Sequence, residues 1–329
     1  GSGKSTLMDV FGFIRDCLRF GVEEACDQPH RRGFERLKTR RQPGPIQFEL
    51  YYREEKTSRP ISYSLSIDQN VEGRTVVTHE RLRQRRKGQK RGHPFTFLEI
   101  ENGSGYAWAG EATEEEEGSE RVAVRLEDTR QLGITTLGNL SEHPRIVAFR
   151  QFLEGWYLSY FLPAVARDLP VAGAQKHLSQ RGENLANYLQ YLERHDYSRF
   201  KFILNRISSA IPGIGVITHK KTDDGRLLIQ FSDKGYIDPF YQQDMSDGTL
   251  KMLAYLLLLE DPDPFPLIGI EEPENGLHHQ LLEPLAKTMR KYTLEKKGPQ
   301  IIITTHSPYF VDPLHPREGS RQPLPGPHF

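Results

Sequence analysis

The stretch Leu267-Ile268-Gly269-Ile270-Glu271-Glu272-Pro273-Glu274 carries the clearest fold signal in this chain of 329 residues. Its four hydrophobic residues, Leu267 to Ile270, predict a short buried strand that ends in adjacent carboxylates. Helical patterns over 248–260 and 277–293 lie on either side of it, and Ile301-Ile302-Ile303-Thr304 predicts a second buried strand. Because strands and helices alternate here, we expect a parallel sheet, whose ligands bind at the carboxyl ends of the strands.

The two adjacent glutamates at this strand end suit chemistry on phosphate. Glu271 and Glu272 point to opposite sides of the strand, so one carboxylate can hold a magnesium shell while its neighbour orients or deprotonates water. A solvated acidic turn is the alternative interpretation, because a proline such as Pro273 ends many strands that have no catalytic role.

The first residues of the chain predict a phosphate-binding loop. Gly1-Ser2-Gly3-Lys4-Ser5-Thr6 runs into a helical pattern from Lys4 to about Phe20. In such a loop, backbone N–H groups cradle phosphates, Lys4 reaches the β and γ oxygens, and Ser5 coordinates magnesium. The first glycine of the full pattern would precede residue 1, so we expect half of the cradle and its strand to be missing from this sequence. A flexible or cloning-derived terminus is the alternative interpretation.

Two further motifs place polar residues beside the predicted elements. Ser246-Asp247-Gly248 stands at the start of a predicted helix, whose free N–H groups and dipole can meet an anion. The alternative is a simple N-cap by Ser246 or Asp247. His306, in Thr304-Thr305-His306-Ser307-Pro308, follows the second buried strand, where it can bind a phosphate or serve as an ordinary loop histidine.

The remaining sections differ in their patterns and are all expected to belong to one domain, 1–329. Alternation predicts an antiparallel β lobe over 46–125, and helical spacing predicts a helical subdomain over 144–210. The three downstream motifs fall within 240–312, and the Pro-, Gly- and Arg-rich section 313–329 is expected to be a poorly ordered tail. The basic run from Arg81 to Arg91 and the acidic run Glu114–Glu117 are expected in connections of the β lobe.

Composition excludes several classes of protein. The 44 Lys and Arg balance 44 Asp and Glu, so the net charge is zero and the bulk field selects no partner. The longest apolar run, Leu253 to Leu259, is far shorter than the roughly 20 residues of a membrane span, so no membrane role is expected. Only Cys17 and Cys26 occur, with no secretory signal before them, which favours a reducing, cytoplasmic location.

The order of these motifs resembles that of the ATPase head of the ABC superfamily. More narrowly, the stretch from Glu271 to His278 and the stretch from Thr304 to Pro308 are similar to those of the RecF-like predicted ATPases of the AAA_21 group, relatives of SMC and OLD-family ATPase domains. Arg181-Gly182-Glu183-Asn184-Leu185-Ala186 resembles a segment of the same group. The resemblance implies an α/β fold: a P-loop NTPase with an ABC-type head, an antiparallel β subdomain and a helical insertion.

The resemblance also implies a role for each motif. Ser246-Asp247-Gly248 corresponds to the ABC signature, Leu267 through Glu271 to the Walker B strand, Glu272 to the catalytic carboxylate, and His306 to the switch histidine. The cofactors implied are ATP and Mg²⁺, with Ser5 and Glu271 as the magnesium ligands. The ATP-binding residues implied are Gly1, Ser2, Gly3, Lys4, Ser5, Thr6, Ser246 and Gly248. Glu271 stands where transporter-type relatives carry aspartate, and His279 stands where close relatives often have proline.

The implied activity is Mg-dependent ATP hydrolysis in a head-to-tail homodimer, driving a switch in DNA maintenance or anti-phage defence. ATP on Lys4 and Ser5 of one subunit would be closed by Ser246 and Gly248 of the other. DNA and a partner nuclease are the further partners implied, although a solvated loop is the stronger interpretation of the basic run. Two alternatives remain for the whole chain: a truncated, non-catalytic interaction protein, and the ATP-binding subunit of an ABC transporter.

Overall fold

The computed structural model describes residues 4–38, 43–53, 58–85, 93–110, 121–211, 213–233, 235–294 and 298–314. The chain divides into two units. Asp9–Trp156 forms the β unit, and Gly1–Met8 with Tyr157–Phe329 forms the α/β unit. The section 144–210 has residues in both, and the section boundaries drawn from the sequence stay predictions.

In the described residues before the first strand, 4–38 and 43–45, the chain forms three helices: α1 (Lys4–Phe20), α2 (Val22–Asp27) and α3 (Phe34–Leu37). The helix predicted from Lys4 to about Phe20 is confirmed. In the β unit, its apolar spacing buries Ile14 and Leu18 on one face. Cys17 and Cys26 are both buried free thiols.

The β unit contains a six-stranded antiparallel sheet in sequential order. Its strands are β1 (Ile46–Tyr52), β2 (Ile61–Gln69), β3 (Thr75–Gln84), β4 (Phe95–Glu101), β5 (Ser104–Trp108) and β6 (Arg121–Arg125). Alternation buries Tyr63, Leu65 and Ile67 on one face of β2, as a half-covered antiparallel sheet requires.

The expectation that the whole basic run lies in a connection is wrong at its start. Arg81 and Arg83 belong to β3, where they alternate with the buried residues Glu80 and Leu82. A basic residue every second position is compatible with a strand whose other face is buried. The residues 86–92 and the acidic run Glu114–Glu117 lie outside the described residues.

A buried carboxylate joins β3 to the helix that follows the sheet. α4 (Gly133–Leu137) and α5 (Pro144–Glu154) complete the β unit. Glu80 is fully buried, and its carboxylate accepts hydrogen bonds from Gly133 N at 2.5 Å, Ile134 N at 3.1 Å and Tyr63 Oη at 2.9 Å. Burial raises the pKa of Glu80, and these three donors oppose that rise.

The α/β unit contains both helices and strands, from β7 onward. Its elements are β7 (Trp156–Ser159), α6 (Pro163–Ala166), α7 (Leu185–His195), α8 (Tyr197–Ala210), β8 (Val216–Lys221), β9 (Leu227–Ser232), β10 (Phe240–Tyr241), α9 (Asp247–Leu259), β11 (Leu267–Glu271), α10 (His279–Leu294), β12 (Gln300–Thr304) and α11 (Pro308–Val311). β8, β9 and β10 form a small antiparallel sheet.

The predicted parallel pairing is confirmed. β11 and β12 are parallel neighbours with Glu271 opposite Thr304, and the sheet order is β12-β11-β7. β7 lies inside the section predicted to be helical. Its four residues are all buried, so it has no polar and apolar alternation by which the sequence could reveal it.

Helix α9 forms much of the core of the α/β unit. It is apolar almost all round, and every residue from Leu250 to Leu259 is buried. It packs in one cluster with residues of β11 and α10, including Ile270 and Leu285. This packing holds the N-terminus of α9, at Ser246, in a fixed position.

Two predicted boundaries shift in the last section. Helix α10 begins at His279 rather than Leu277, because Gly276 adopts a left-handed φ of 78° and turns the chain first. Leu314, in the predicted tail, packs against the core cluster, and 315–329 lie outside the described residues. No helix in the described part of the chain is long and apolar enough to cross a bilayer.

Candidate functional site

Lys4, the first described residue of α1, reaches the loop that follows β12. Its Nζ lies 3.4 Å from the carbonyl oxygen of Thr305 and 3.3 Å from Nδ1 of His306. Both partners belong to the same α/β unit. Two motifs separated by 301 residues or more thus meet directly. Gly1, Ser2 and Gly3, the other predicted loop residues, lie outside the described residues.

His306 connects Lys4 to Glu272. Its Nε2 lies 3.5 Å from Glu272 Oε1, and its side chain is 68% exposed against 35% for Glu272. An ammonium donates only, so a hydrogen bond between Lys4 Nζ and His306 Nδ1 requires the tautomer that carries its proton on Nε2. That proton then faces the carboxylate. The predicted lysine, histidine and glutamate are therefore in one contact sequence.

Glu272 has an unusual backbone. Its φ is 44°, in the left-handed region that a non-glycine residue seldom adopts. Glu272 N donates to Thr304 O at 2.8 Å, so the parallel ladder holds this conformation, and Asn275 Nδ2 donates to Glu272 Oε2 at 2.8 Å. Such strain costs about 1–3 kcal/mol and is typically retained at functional sites. The carboxylate of this residue lies beside the His306 ring.

The predicted magnesium ligands occupy the neighbouring positions. Glu271 is the last residue of β11 and is partly exposed, and Ser5 lies exposed on the first turn of α1 with Thr6. Carboxylate and hydroxyl oxygens are hard donors that suit Mg²⁺, which also keeps waters and substrate phosphates as ligands. No cluster of three or more His, Cys, Asp or Glu able to hold a metal occurs among the described residues. The oxygen donors of Ser5 and Glu271 are of the type that suits a magnesium ion with phosphate oxygens and waters as its further ligands.

Glu274 is a member of the site whose role the sequence did not reveal. Its Oε1 accepts from Thr305 Oγ1 at 2.8 Å and from His306 N at 2.6 Å. Burial acts to raise the pKa of Glu274, but the His306 and Ser307 amides and the Thr305 hydroxyl outweigh it, so the pKa is lowered. Glu274 therefore ties the loop after β11 to the loop after β12. The signal available in the sequence was its position two residues after Glu272.

The N-terminal turn of α9 contacts the loop that follows β11. Ser246 is exposed and caps α9 by accepting from Thr249 N at 3.1 Å, so the N-cap interpretation is confirmed, and anion binding there stays a prediction. Gly248 is buried, and a Cβ at this position would lie 2.9 Å from Gly276 O. Only glycine allows this approach without a shift.

Lys251 is a second residue that the sequence analysis missed. Its half-buried ammonium donates to Asn275 O at 2.5 Å, and burial lowers its pKa. A lysine within the otherwise apolar helix α9 was the available signal. Lys251 and Gly248 of α9 contact Asn275 and Gly276, whereas Lys4 contacts the His306 loop.

Residues 1–312 match the sequence model of the family described as "AAA domain, putative AbiEii toxin, Type IV TA system", AAA_21. The chain belongs to the AAA_21 family. This membership confirms the resemblance found in the motifs, and with the observed helices and sheets it confirms the predicted α/β fold class of a P-loop, ABC-type ATPase head. No protein with a curated description matches the chain.

Solved structures similar to this AAA_21 chain include SMC heads. An SMC head bound to the C-winged helix domain of ScpA is 14% identical, with 95% of this chain and 82% of that chain covered and a TM-score of 0.47. The SMC head domain from Thermotoga maritima is 13% identical, with 95% and 80% covered and a TM-score of 0.41. An SMC head with an extended coiled coil, bound to the C-terminal domain of ScpA derived from Pyrococcus furiosus, is 14% identical, with 95% and 83% covered and a TM-score of 0.38.

Proposed function

We propose that this AAA_21 ATPase-type domain binds ATP with Mg²⁺ and hydrolyses it. The observation that carries the proposal is the contact sequence from Lys4 through His306 to Glu272, in which a cation, an imidazole and a carboxylate share one edge of a parallel sheet. Hydrolysis of a phosphoanhydride depends mainly on positioning and on charge stabilisation, and these three groups supply both.

Lys4 and His306 are assigned to the phosphates. The two contacts of the Lys4 ammonium, at 3.3 and 3.4 Å, are long, so phosphate oxygens can replace them at little cost. The His306 ring is exposed, and either ring nitrogen can donate when it is protonated, so a small rotation can present a donor to a terminal phosphate. The further predicted ATP contacts, Ser5 and Thr6, are exposed on the same helical turn.

The two adjacent glutamates receive different roles. Glu272, strained and aimed at His306, is assigned to orient the attacking water and to take up its proton. Glu271, the last residue of the strand, is assigned with Ser5 to the magnesium ion, which when bound neutralises charge on the phosphates. The opposite orientation of successive side chains in a strand supports this division.

A second copy of the chain is proposed to complete the site. Ser246 is exposed at the N-terminus of α9, and its described contacts do not include the Lys4 group, so a head-to-tail homodimer could bring it to the partner's nucleotide. We expect Ser246→Arg to abolish hydrolysis and to leave nucleotide binding by the isolated chain within about threefold of wild type. Equal loss of both would argue against a composite site.

Steady-state hydrolysis by Glu272→Gln tests the proposal. Loss of a general base lowers turnover by about 10²- to 10⁴-fold, while the amide keeps the shape of the side chain. Glu283→Gln is the matched control, because Glu283 is an exposed helical glutamate that pairs with Lys287 at 2.6 Å, on α10. We expect the control to hydrolyse ATP at the wild-type rate. Wild-type turnover by Glu272→Gln would remove Glu272 from this role.

The biological setting belongs to the same proposal: a cytoplasmic dimer switch in DNA maintenance or anti-phage defence, with DNA or a nuclease as partner. The family description names a toxin of a type IV system, which supports defence over transport. In the described part of the basic run, Arg81 lies 3.7 Å from Glu99, so only part of that charge is available to phosphate. DNA affinity that falls steeply between about 50 and 200 mM salt would support DNA contact, and affinity indifferent to salt would exclude it.

A further inference from the structure

We propose that Glu274 is a positioning residue, which holds the main chain of the Thr305–His306 loop so that the His306 ring stays between Lys4 and Glu272. This inference rests on the proposed ATPase function for its meaning, but its structural part can be tested without nucleotide. It gives a distinct role to the third carboxylate of the Glu271–Glu274 stretch, beside those proposed for Glu271 and Glu272.

The loop after β12 needs an anchor of this kind. The His306 side chain is 68% exposed, so packing alone does not fix its ring. Glu274 Oε1 accepts from His306 N at 2.6 Å and from Thr305 Oγ1 at 2.8 Å, and Thr305 Oγ1 in turn accepts from Ser307 N at 3.0 Å. Hydrogen bonds to a charged acceptor are roughly twice as strong as neutral ones. The carboxylate thus orients three successive residues at once.

The geometry excludes Glu274 as a second general base. Its Oε1 is occupied by two donors, and its Oε2 is buried away from solvent. A base must lie within reach of the water that it activates, and Glu272 meets this requirement through its exposed edge at the His306 ring. Glu274 therefore acts through His306, not on the reacting atoms.

The two residues that follow Glu274 are also held in place. Asn275 O, one residue along, accepts from Lys251 Nζ, and the next residue, Gly276, is in close approach to Gly248. The loop that carries Glu274 is thus held to α9 while its carboxylate holds the His306 loop. A displacement of either loop would strain the hydrogen bonds of Glu274, because this carboxylate belongs to one loop and accepts from the other.

A kinetic double-mutant cycle tests whether Glu274 acts through His306. We expect Glu274→Ala to lower kcat by about 10²-fold, as expected for loss of positioning, while KM for ATP stays within about threefold. In the His306→Ala background the same change should cost less than about threefold, because the group that it positions is already gone. Equal losses in both backgrounds would overturn the proposal.

Rescue separates hydrogen bonding from charge. The Oε1 atom of Glu274→Gln can still accept from His306 N and Thr305 Oγ1, so this variant should recover kcat to within about tenfold of wild type. A glutamine variant as impaired as the alanine variant would contradict positioning by these bonds. Thr305→Val removes one of the two bonds to Glu274 without truncating the side chain, and it keeps the test open if Glu274→Ala unfolds. We expect its kcat to lie between those of Glu274→Ala and wild type. A wild-type kcat in Thr305→Val would count against the positioning role of Glu274.

Hydrogen exchange without nucleotide makes the two proposals separable. The His306 amide should exchange about tenfold faster in Glu274→Ala than in wild type, and at the wild-type rate in Glu272→Gln and the control Glu283→Ala. This result together with a wild-type chain that does not hydrolyse ATP would refute the proposed function and retain the anchor. Unchanged exchange in Glu274→Ala would refute the anchor whatever the ATPase activity.

Discussion

Replacing Glu80 is expected to unfold the β unit at much lower denaturant than wild type. Glu80 is fully buried and is the acceptor for Gly133 N, Ile134 N and Tyr63 Oη. Glu80→Leu fills a similar volume but leaves these donors buried without an acceptor. A buried donor left without an acceptor costs about 1–3 kcal/mol, and Glu80→Leu leaves three of them, so we expect a loss of at least about 3 kcal/mol of free energy of unfolding. Glu80→Gln keeps one acceptor oxygen and should cost about 1–2 kcal/mol.

Denaturant unfolding followed by tryptophan fluorescence measures this loss. Trp108 lies in β5 of the β unit, whereas Trp156 begins β7, so the Trp108 signal, isolated in a Trp156→Phe background, reports the unit that contains Glu80. Glu99→Gln is the control: Glu99 lies on the same sheet but is 33% exposed, and its change should stay within about 1 kcal/mol of wild type. The reasoning is refuted if Glu80→Leu unfolds within about 1 kcal/mol of wild type.

Two further predictions concern helix α9. Gly248→Ala should place a Cβ 2.9 Å from Gly276 O, and the resulting shift should cost about 1–3 kcal/mol of overpacking against about 1 kcal/mol of gained helix propensity. Thermal unfolding and ATPase assays check this; a variant that is both stabilised and fully active would contradict the close approach. Burial lowers the pKa of Lys251 in the folded chain below its unfolded value of about 10.4. Between these two pKa values the unfolded chain binds more protons than the folded chain, so the free energy of unfolding should rise with pH up to about 10.4. Lys251→Met should not show this rise. Parallel stability–pH curves for wild type and Lys251→Met would exclude a contribution from Lys251.

Much of the site could be predicted from the sequence because its parts are local signals. The run Leu267–Ile270 is too apolar to be anything but buried, and the glutamates after it had to fall at a strand end. The same holds for the strand before His306 and for the helix after Lys4. What a local pattern cannot provide is which ends meet. Here the resemblance supplied the expectation, and the contact between Lys4 and His306 is consistent with it.

The residues that escaped prediction act through long-range contacts. β7 is buried on both faces and lacks alternation, so its four residues carried no strand signal. Glu274 lies only two residues after Glu272, yet its role depends on hydrogen bonds to residues 31 and 32 positions away. The basic residues Arg81 and Arg83 were assigned to a loop by their charge, whereas they belong to β3, where they alternate with the buried residues Glu80 and Leu82. In each case the outcome depends on burial or hydrogen bonds in the folded chain, which the local composition does not reveal.

Nuclear magnetic resonance of the histidine rings during titration with a non-hydrolysable Mg–ATP analogue tests the shared phosphate site most directly. The His306 ring, identified by its loss in His306→Ala, lies 3.3 Å from Lys4 and 3.5 Å from Glu272, so a nucleotide bound between them must change its signals. We expect those signals to shift and saturate with the analogue in wild type and to stay unchanged in Lys4→Ala. Saturable nucleotide binding that leaves the His306 signals unmoved would contradict a common site for the amino-terminal lysine and the paired glutamates.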